Sequence, residues 1–253
     1  VEELLELKSI SLTLADEKNE VQILKDIDLK LEAKKTYVMT GPNGGGKSSI
    51  AKTIMGIYQP TAGQILLNGE DITSKSISER ARLGIGYAFQ QPPRYKGLTV
   101  TELLSIAAGA NDLKQQCDIL FDVGLCAQDY LEREINASFS GGELKRIEIA
   151  SLLARNLKVA VFDEPEAGID LWSFQKLTET FERVHEKHDT TLVIISHQER
   201  ILRLADQVIV VSDGQISELT TAEEFLSEIE RIDLNCRCRD DCIKGEMANA
   251  ECN

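Results

Sequence analysis

Residues 41–48 read Gly-Pro-Asn-Gly-Gly-Gly-Lys-Ser and fill every fixed position of the pattern G-x-x-x-x-G-K-[ST]. The run Thr36–Thr40 before them is apolar at its centre, and Lys47–Met55 after them carries helix formers with apolar residues spaced for one face. Strand, glycine loop and helix in this order restrict the chain to folds in which backbone N–H groups wrap around phosphates and a helix N-terminus points its partial positive charge at them. The pattern assigns Gly41, Pro42, Asn43, Gly44, Gly45, Gly46, Lys47, Ser48 and Ser49 to a phosphate cradle. Lys47 is expected to reach the β- and γ-phosphates, and Ser48 to offer its hydroxyl to Mg²⁺.

The 253 residues carry 42 acidic and 28 basic side chains, a formal net charge of -14. That balance excludes a nucleic-acid partner, because affinity for phosphate backbones comes mainly from Lys and Arg. A local device of glycines and helix N-terminus is how so acidic a chain holds a polyanion. With 42% hydrophobic and 28% charged residues, the composition fits one large folded domain, or one with a smaller lobe. No run approaches the roughly 18 apolar residues of a membrane span. The opening Val1–Glu6 lacks the basic and apolar regions of a secretory signal. These features predict a cytoplasmic location, no direct membrane insertion and reduced thiols.

Leu5, Leu7 and Ile10–Leu14, then Val21–Leu24 and Ile27–Leu31, predict short strands of an antiparallel sheet. Gln64–Leu67 with Asn68-Gly69 predicts a strand and tight turn, and Ser76 with Glu79 a capping box for a helix ending at Gly84. Residues 91–157 are mostly helical in pattern. Val159–Phe162 and Thr191–Ser196 predict strands flanking a helix Trp172–Lys187, whose Phe174, Leu177, Phe181 and Val184 form an apolar stripe. Strands alternating with helices predict an α/β fold with a parallel sheet. Periodicity fades beyond about Ile229. The expected division is therefore a domain at 1–228, with a helical subdomain at about 91–157 inserted, and a Cys-rich segment at 229–253.

A second glycine device lies at Ser138–Glu143. Ser140 caps a helix expected at Leu144–Asn156, and Gly141 and Gly142 leave the backbone open to an anion, although alone this is also an ordinary helix start. Asp163 and Glu164 follow a buried strand at the end where α/β sheets place ligands: Asp163 to orient Mg²⁺ and its waters, Glu164 to accept a proton from an attacking water. His197 ends the next strand, as a structural residue or a γ-phosphate contact, whereas His185 and His188 read as surface residues. Cys117 and Cys126 read as isolated core positions. Cys236, Cys238, Cys242 and Cys252 are spaced closely enough for thiolates to hold Zn²⁺ or part of an iron–sulfur cluster; alternatively they bind nothing, since their spacing matches no established zinc knuckle.

The order phosphate loop, Gln90, Ser140-Gly-Gly-Glu143, Asp163-Glu164, Asp170 and His197 resembles the ATP-binding cassette (ABC) family over about residues 3–222. The resemblance implies a P-loop NTPase of ABC type with an antiparallel β subdomain and a helical subdomain, and Mg-dependent ATP hydrolysis. It further implies that Gln90 contacts Mg²⁺ and couples nucleotide state to the helical lobe, that Glu164 is the catalytic base, that Asp170 lies at a dimer contact and that His197 is the γ-phosphate switch. Ser140, Gly141, Gly142 and Glu143 would serve the nucleotide of the opposite subunit, which makes an ATP-dependent homodimer. Phe139–Arg146, Gly168 and His197–Leu202 are similar to the soluble Suf-type ATPases of iron–sulfur cluster assembly. That likeness implies a Suf-type scaffold partner (SufB/SufD-like), docked through the Gln90 loop and residues about 91–130. Pro165 is transporter-like, and the alternative is the nucleotide-binding subunit of a membrane transporter, with Pro92–Leu98 receiving a coupling helix. Gly45 stands where the family usually has Ser. No aromatic residue sits where adenine usually stacks, the matching place falling on or near Leu14, so ATP and GTP both stay open as substrates.

Overall fold

A computed structural model describes residues 3–16, 19–93, 95, 97–136, 138–155, 157–187 and 189–234. Hydrophobic alternation builds the first layer. β1 (Glu3–Asp16) and β2 (Asn19–Glu32) pair antiparallel, with Leu5, Leu7, Ile10 and Leu12 facing inward against Leu24, Ile27, Leu29 and Leu31. Short strands were expected here, yet both are continuous. The breaks in alternation are bulges, since Ser9 (φ 47°) and Asp26 (φ 52°) take left-handed backbone where the register shifts, and each bulge resets which face the following residues meet.

The chain then enters β3 (Thr36–Thr40), α1 (Lys47–Met55), β4 (Ala62–Leu67), β5 (Glu70–Asp71), α2 (Ile77–Arg82) and β6 (Ile85–Ala88). The helical insertion follows as α3 (Val100–Ala108), α4 (Leu113–Asp122), α5 (Ala127–Tyr130) and α6 (Gly141–Leu153). Next come β7 (Val159–Asp163), α7 (Leu171–Lys187), β8 (Thr191–Ile195), α8 (Glu199–Leu202), β9 (Gln207–Ser212), β10 (Gln215–Thr220) and α9 (Ala222–Leu234). Among the described residues, one sheet has the order β2-β1-β4-β5 and the other β10-β9-β3-β8-β7-β6. In the second, β9, β3, β8, β7 and β6 run parallel and β10 closes the edge antiparallel.

Strands β3, β7 and β8 are buried along their whole length, as a sheet covered on both faces requires. Val38, Phe162 and Ile194 face the layer containing α6, α7 and the insertion; Tyr37, Met39, Val161 and Val193 face α1 and the antiparallel sheet. Because the strands are parallel, the carboxyl ends of β3, β7 and β8 lie along one edge. Residues 41, 163 and 196, far apart in sequence, are thereby neighbours.

Three local expectations shift. Helix α6 begins at Gly141 rather than Leu144, because Ser140 and Glu143 form a reciprocal capping box that starts the helix at the glycines. Cys117 is only half-buried and Cys126 is exposed, the latter as the N-cap residue of the short α5. Regular helix continues to Leu234, past the expected fade near Ile229. His188 and the four cysteines at 236, 238, 242 and 252 lie outside the described residues.

Candidate active site

The loop after β3 turns on left-handed glycines, with φ of 127° at Gly41 and 109° at Gly46. A Cβ at Gly41 would stand 2.1 Å from the Val211 carbonyl oxygen, and one at Gly45 2.7 Å from the same atom. The loop is packed against β9 so closely that only glycine fits. The N-cap of α1 is Gly46, which has no capping side chain, and the helix has no acid in its first turn. A nine-residue helix thus presents uncompensated N–H groups to the loop, as an anion site requires.

Lys47 is buried, and its ammonium donates to the Gly41 carbonyl at 2.7 Å and the Pro42 carbonyl at 2.9 Å. Burial lowers its pKa from the ordinary lysine value, against the opposing charges of Glu164 and Asp163. Ser48 Oγ donates to Asp163 Oδ1 at 2.9 Å, and the Tyr87 hydroxyl donates to Asp163 Oδ2 at 2.6 Å. Both oxygens of the buried Asp163 are therefore oriented. The Tyr87 phenol is held far above its usual pKa by burial and by that carboxylate, so it remains a donor.

Glu164 follows with φ 43°, a left-handed conformation unusual for a side chain of its size, and its N–H donates to the Ile195 carbonyl at 3.1 Å. Its carboxylate accepts from Gln90 Nε2 at 2.6 Å. His197 Nδ1 lies 3.2 Å from Thr40 Oγ1. Partial burial and the charge of Lys47 hold its pKa below that of a free imidazole. Next to it, Ser196 Oγ donates to Glu166 Oε1 at 2.5 Å, and burial pushes the Glu166 carboxyl up. The phosphate loop, Gln90, Asp163, Glu164 and His197 accordingly come together. Tyr87, Thr40, Glu166 and Ser196 join them without having been singled out by sequence; their shared signal is position at the carboxyl end of a parallel strand or just past it.

The second glycine device lies elsewhere. Ser140 Oγ accepts from the Glu143 N–H at 3.2 Å, and Glu143 Oε2 accepts from the Ser140 N–H at 2.7 Å. The other Glu143 oxygen accepts from the Tyr130 hydroxyl, and Arg133 stacks over Phe139 with its guanidinium carbon 4.1 Å from the ring centroid. A Cβ on Gly142 would come 2.5 Å from Ser173 Cβ, so this glycine lets α6 approach the start of α7. Asp170 Oδ1 caps that start, accepting from the N–H groups of Trp172 and Ser173, both at 3.0 Å. Among the described residues, no hydrogen bond or ion pair joins Ser140–Glu143 or Asp170 to the phosphate loop of the same chain. His185 is exposed on α7, with Nδ1 2.9 Å from Thr36 Oγ1, and Leu14 is partly exposed. No group of three or more His, Cys, Asp and Glu fit to hold a metal ion occurs among the described residues.

A phosphate loop on the central strand, an aligned Ser–Asp pair and a carboxylate beside it define a nucleotide-hydrolysing P-loop cassette. The ABC transporter family model matches residues 24–167, and the chain belongs to that family as an ABC ATPase, for which ATP and Mg²⁺ are substrate and cofactor. The uncharacterized ABC transporter ATP-binding protein MJ0035 of Methanocaldococcus jannaschii is 37% identical over 204 residues, covering 77% of this chain and 81% of the relative. The energy-coupling factor transporter ATP-binding protein EcfA2 of Caldanaerobacter subterraneus is 31% identical over 228 residues, covering 83% and 76%. The probable ATP-dependent transporter ycf16 of Antithamnion sp. is 31% identical over 229 residues, covering 84% and 89%. In fold, the chain is similar to a dimeric ATP-binding cassette bound to ADP and Pi, with TM-score 0.77, 21% identity and coverage of 87% of this chain and 99% of that one. It is likewise similar to cbiO1 of Clostridium perfringens, part of an ABC transporter complex, with TM-score 0.77, 22% identity and coverage of 96% and 100%. These names are of transporter ATP-binding proteins in general and do not single out the Suf-type ATPases.

Proposed function

We propose that this ATPase is the nucleotide-binding subunit of a membrane transporter and works as a head-to-tail pair closed by ATP. The relatives named as transporter ATP-binding proteins support the partner class. The observation that carries the coupling is Gln90, which touches Glu164 and directly follows Phe89, a residue that lines a groove of about 450 Å³ together with Met55, Ile57, Tyr87, Pro93 and Leu103. Among the described residues no helix is long and apolar enough to cross a membrane. In this reading a membrane-spanning partner seats in the groove.

In this reading, Gly41–Ser49 of one subunit and Ser140–Glu143 of its mate enclose the nucleotide. Lys47 leaves the Gly41 and Pro42 carbonyls for the phosphates, and Glu164 takes the proton of the attacking water. His197, kept neutral beside Lys47, offers a hydrogen bond to the γ-phosphate. Ser48, Asp163 and Gln90 would hold Mg²⁺, which when bound neutralises charge on the phosphate oxygens.

A second reading, a Suf-type scaffold as the partner, is favoured by the signature itself. Phe139-Ser-Gly-Gly-Glu143 ends in a carboxylate tied to Tyr130 and Ser140, and Lys145 and Arg146 follow it. Affinity purification of the Glu164→Gln chain from its own cell, with and without detergent, separates the two. A multi-span membrane protein supports the transporter, whereas a hydrophilic, β-rich partner in the soluble fraction overturns it in favour of the scaffold.

A further inference from the structure

Lys145 and Glu148 stand one turn apart on α6, 2% and 6% exposed, with Nζ and Oε2 3.0 Å apart. Burying two charges costs more than a surface pair returns, and apolar residues of similar size would serve packing at least as well. What the pair does here is geometric. Glu148 Oε1 accepts the Phe89 N–H at 3.0 Å, and Lys145 Nζ donates to the Phe89 carbonyl. Both backbone groups of a single residue are held by a cation and an anion from one helix. Phe89 is the first residue beyond β6, where the sheet ladder stops holding the chain. Burial raises the Glu148 carboxyl, and both Lys145 and the Phe89 N–H oppose that rise.

The next residue is Gln90, whose side chain reaches Glu164. Phe89 is 46% exposed and lines the groove, and its ring packs edge-on against Tyr87 with centroids 4.9 Å apart, and Tyr87 in turn holds Asp163. One residue thus has its backbone fixed to α6, its ring in the groove and its neighbour in the site. The N-terminus of the same helix carries Ser140.

We propose that Lys145 and Glu148 are positioning residues that grip the Phe89 backbone and so set the reach of Gln90, passing any shift of α6 to the active site. The inference rests on Gln90 being a site residue. Its test compares two double variants. Lys145→Met with Glu148→Leu removes the grip; Lys145→Gln with Glu148→Gln keeps a donor for the Phe89 carbonyl and an acceptor for its N–H without charge. In the first, amide exchange at Phe89 is expected to accelerate at least about tenfold, since its acceptor is gone. The Mg²⁺ concentration for half-maximal ATPase is expected to rise about tenfold, the scale seen when ligand-orienting residues are lost. Affinity for Mg-free ATP stays within about twofold, because the phosphate loop is untouched. The Gln pair is expected to restore both readouts to within about threefold of the parent, since it keeps both hydrogen bonds. Unchanged Phe89 exchange in the Met/Leu variant, or a Gln pair as impaired as Met/Leu, overturns the proposal. If Met/Leu does not fold, Glu148→Leu alone, which removes the acceptor of the Phe89 N–H, is read the same way. Gln90→Ala is the control: if it leaves the Mg²⁺ requirement unchanged, the role given to Gln90 falls, and Phe89 exchange alone decides whether the grip exists.

Discussion

Gln90 Nε2 donates to Glu164 Oε2 across 2.6 Å, joining residues 74 positions apart on opposite sides of the helical insertion. The bond occupies one oxygen of the carboxylate proposed as the base, and so ties that carboxylate to the loop leading into the insertion.

Glu164→Gln keeps an oxygen to accept from Gln90 but cannot take a proton. Turnover is expected to fall on the order of 10²–10⁴-fold, the usual contribution of a positioned base, while ATP still binds and closed dimer accumulates. Phosphate-release assays and light scattering on a sizing column check this. Hydrolysis at the parent rate would remove the assignment.

Tyr87→Phe deletes the donor that fixes Asp163 Oδ2 and leaves the ring packing in place. The expected result is a near-parent melting temperature with a Mg²⁺ requirement raised roughly tenfold. A Mg²⁺ titration of ATPase activity shows it, and an unchanged midpoint would mean that Ser48 alone orients Asp163.

His197 has its folded-state pKa below the ordinary imidazole value of about 6.5. The unfolded chain therefore binds the proton more readily. The contribution to stability is fully present above the unfolded pKa and is lost as pH falls through the folded one. Urea melts over this window are expected to show a slope that His197→Ala flattens. A slope that survives the substitution would belong to another group.

Arg80 is fully buried and serves four carbonyls, donating to Thr53 at 2.6 Å, Ile54 at 2.9 Å, Thr73 at 2.6 Å and Lys75 at 3.1 Å. Two of these close the last turn of α1, the helix that carries Lys47 at its other end, where a cation also suits the helix dipole. Arg80→Met removes the guanidinium from all four, of which the Thr53 carbonyl keeps the Gly56 N–H, and is expected to cost about 3 kcal/mol or more, because each abandoned buried group costs ~1–3. For a chain of this size that is a fall in melting temperature on the order of 10 °C. A change within the error of calorimetry would show that water replaces the guanidinium.

The parts legible in the sequence were those whose cause is local. Thr36–Thr40, the glycine loop and Lys47–Met55 appear at their expected bounds, and Ser76 caps its helix through Glu79 as the three-residue spacing predicts, whereas Ser140 caps through Glu143 and starts its helix three residues earlier than expected. The carboxyl-end rule for parallel strands singled out Asp163, Glu164 and His197. Tyr87 was not legible, because an aromatic residue on a buried strand reads as core until the opposite carboxylate is in place. The bulges at Ser9 and Asp26 were hidden for a similar reason: a slip in alternation reads equally as two short strands.

By itself, the order of residues determined a strand–loop–helix unit of the phosphate-loop pattern and which side chains sit on it, since backbone conformation and capping act over a few neighbours. Only the tertiary structure decided what those side chains face. The stacking of parallel strands sets Asp163 between Ser48 and Tyr87, and the packing of α6 on the end of β6 sets Lys145 and Glu148 on Phe89. Such contacts depend on how twisted sheet and helices close on one another, a property of the whole packed core that no short window of sequence contains.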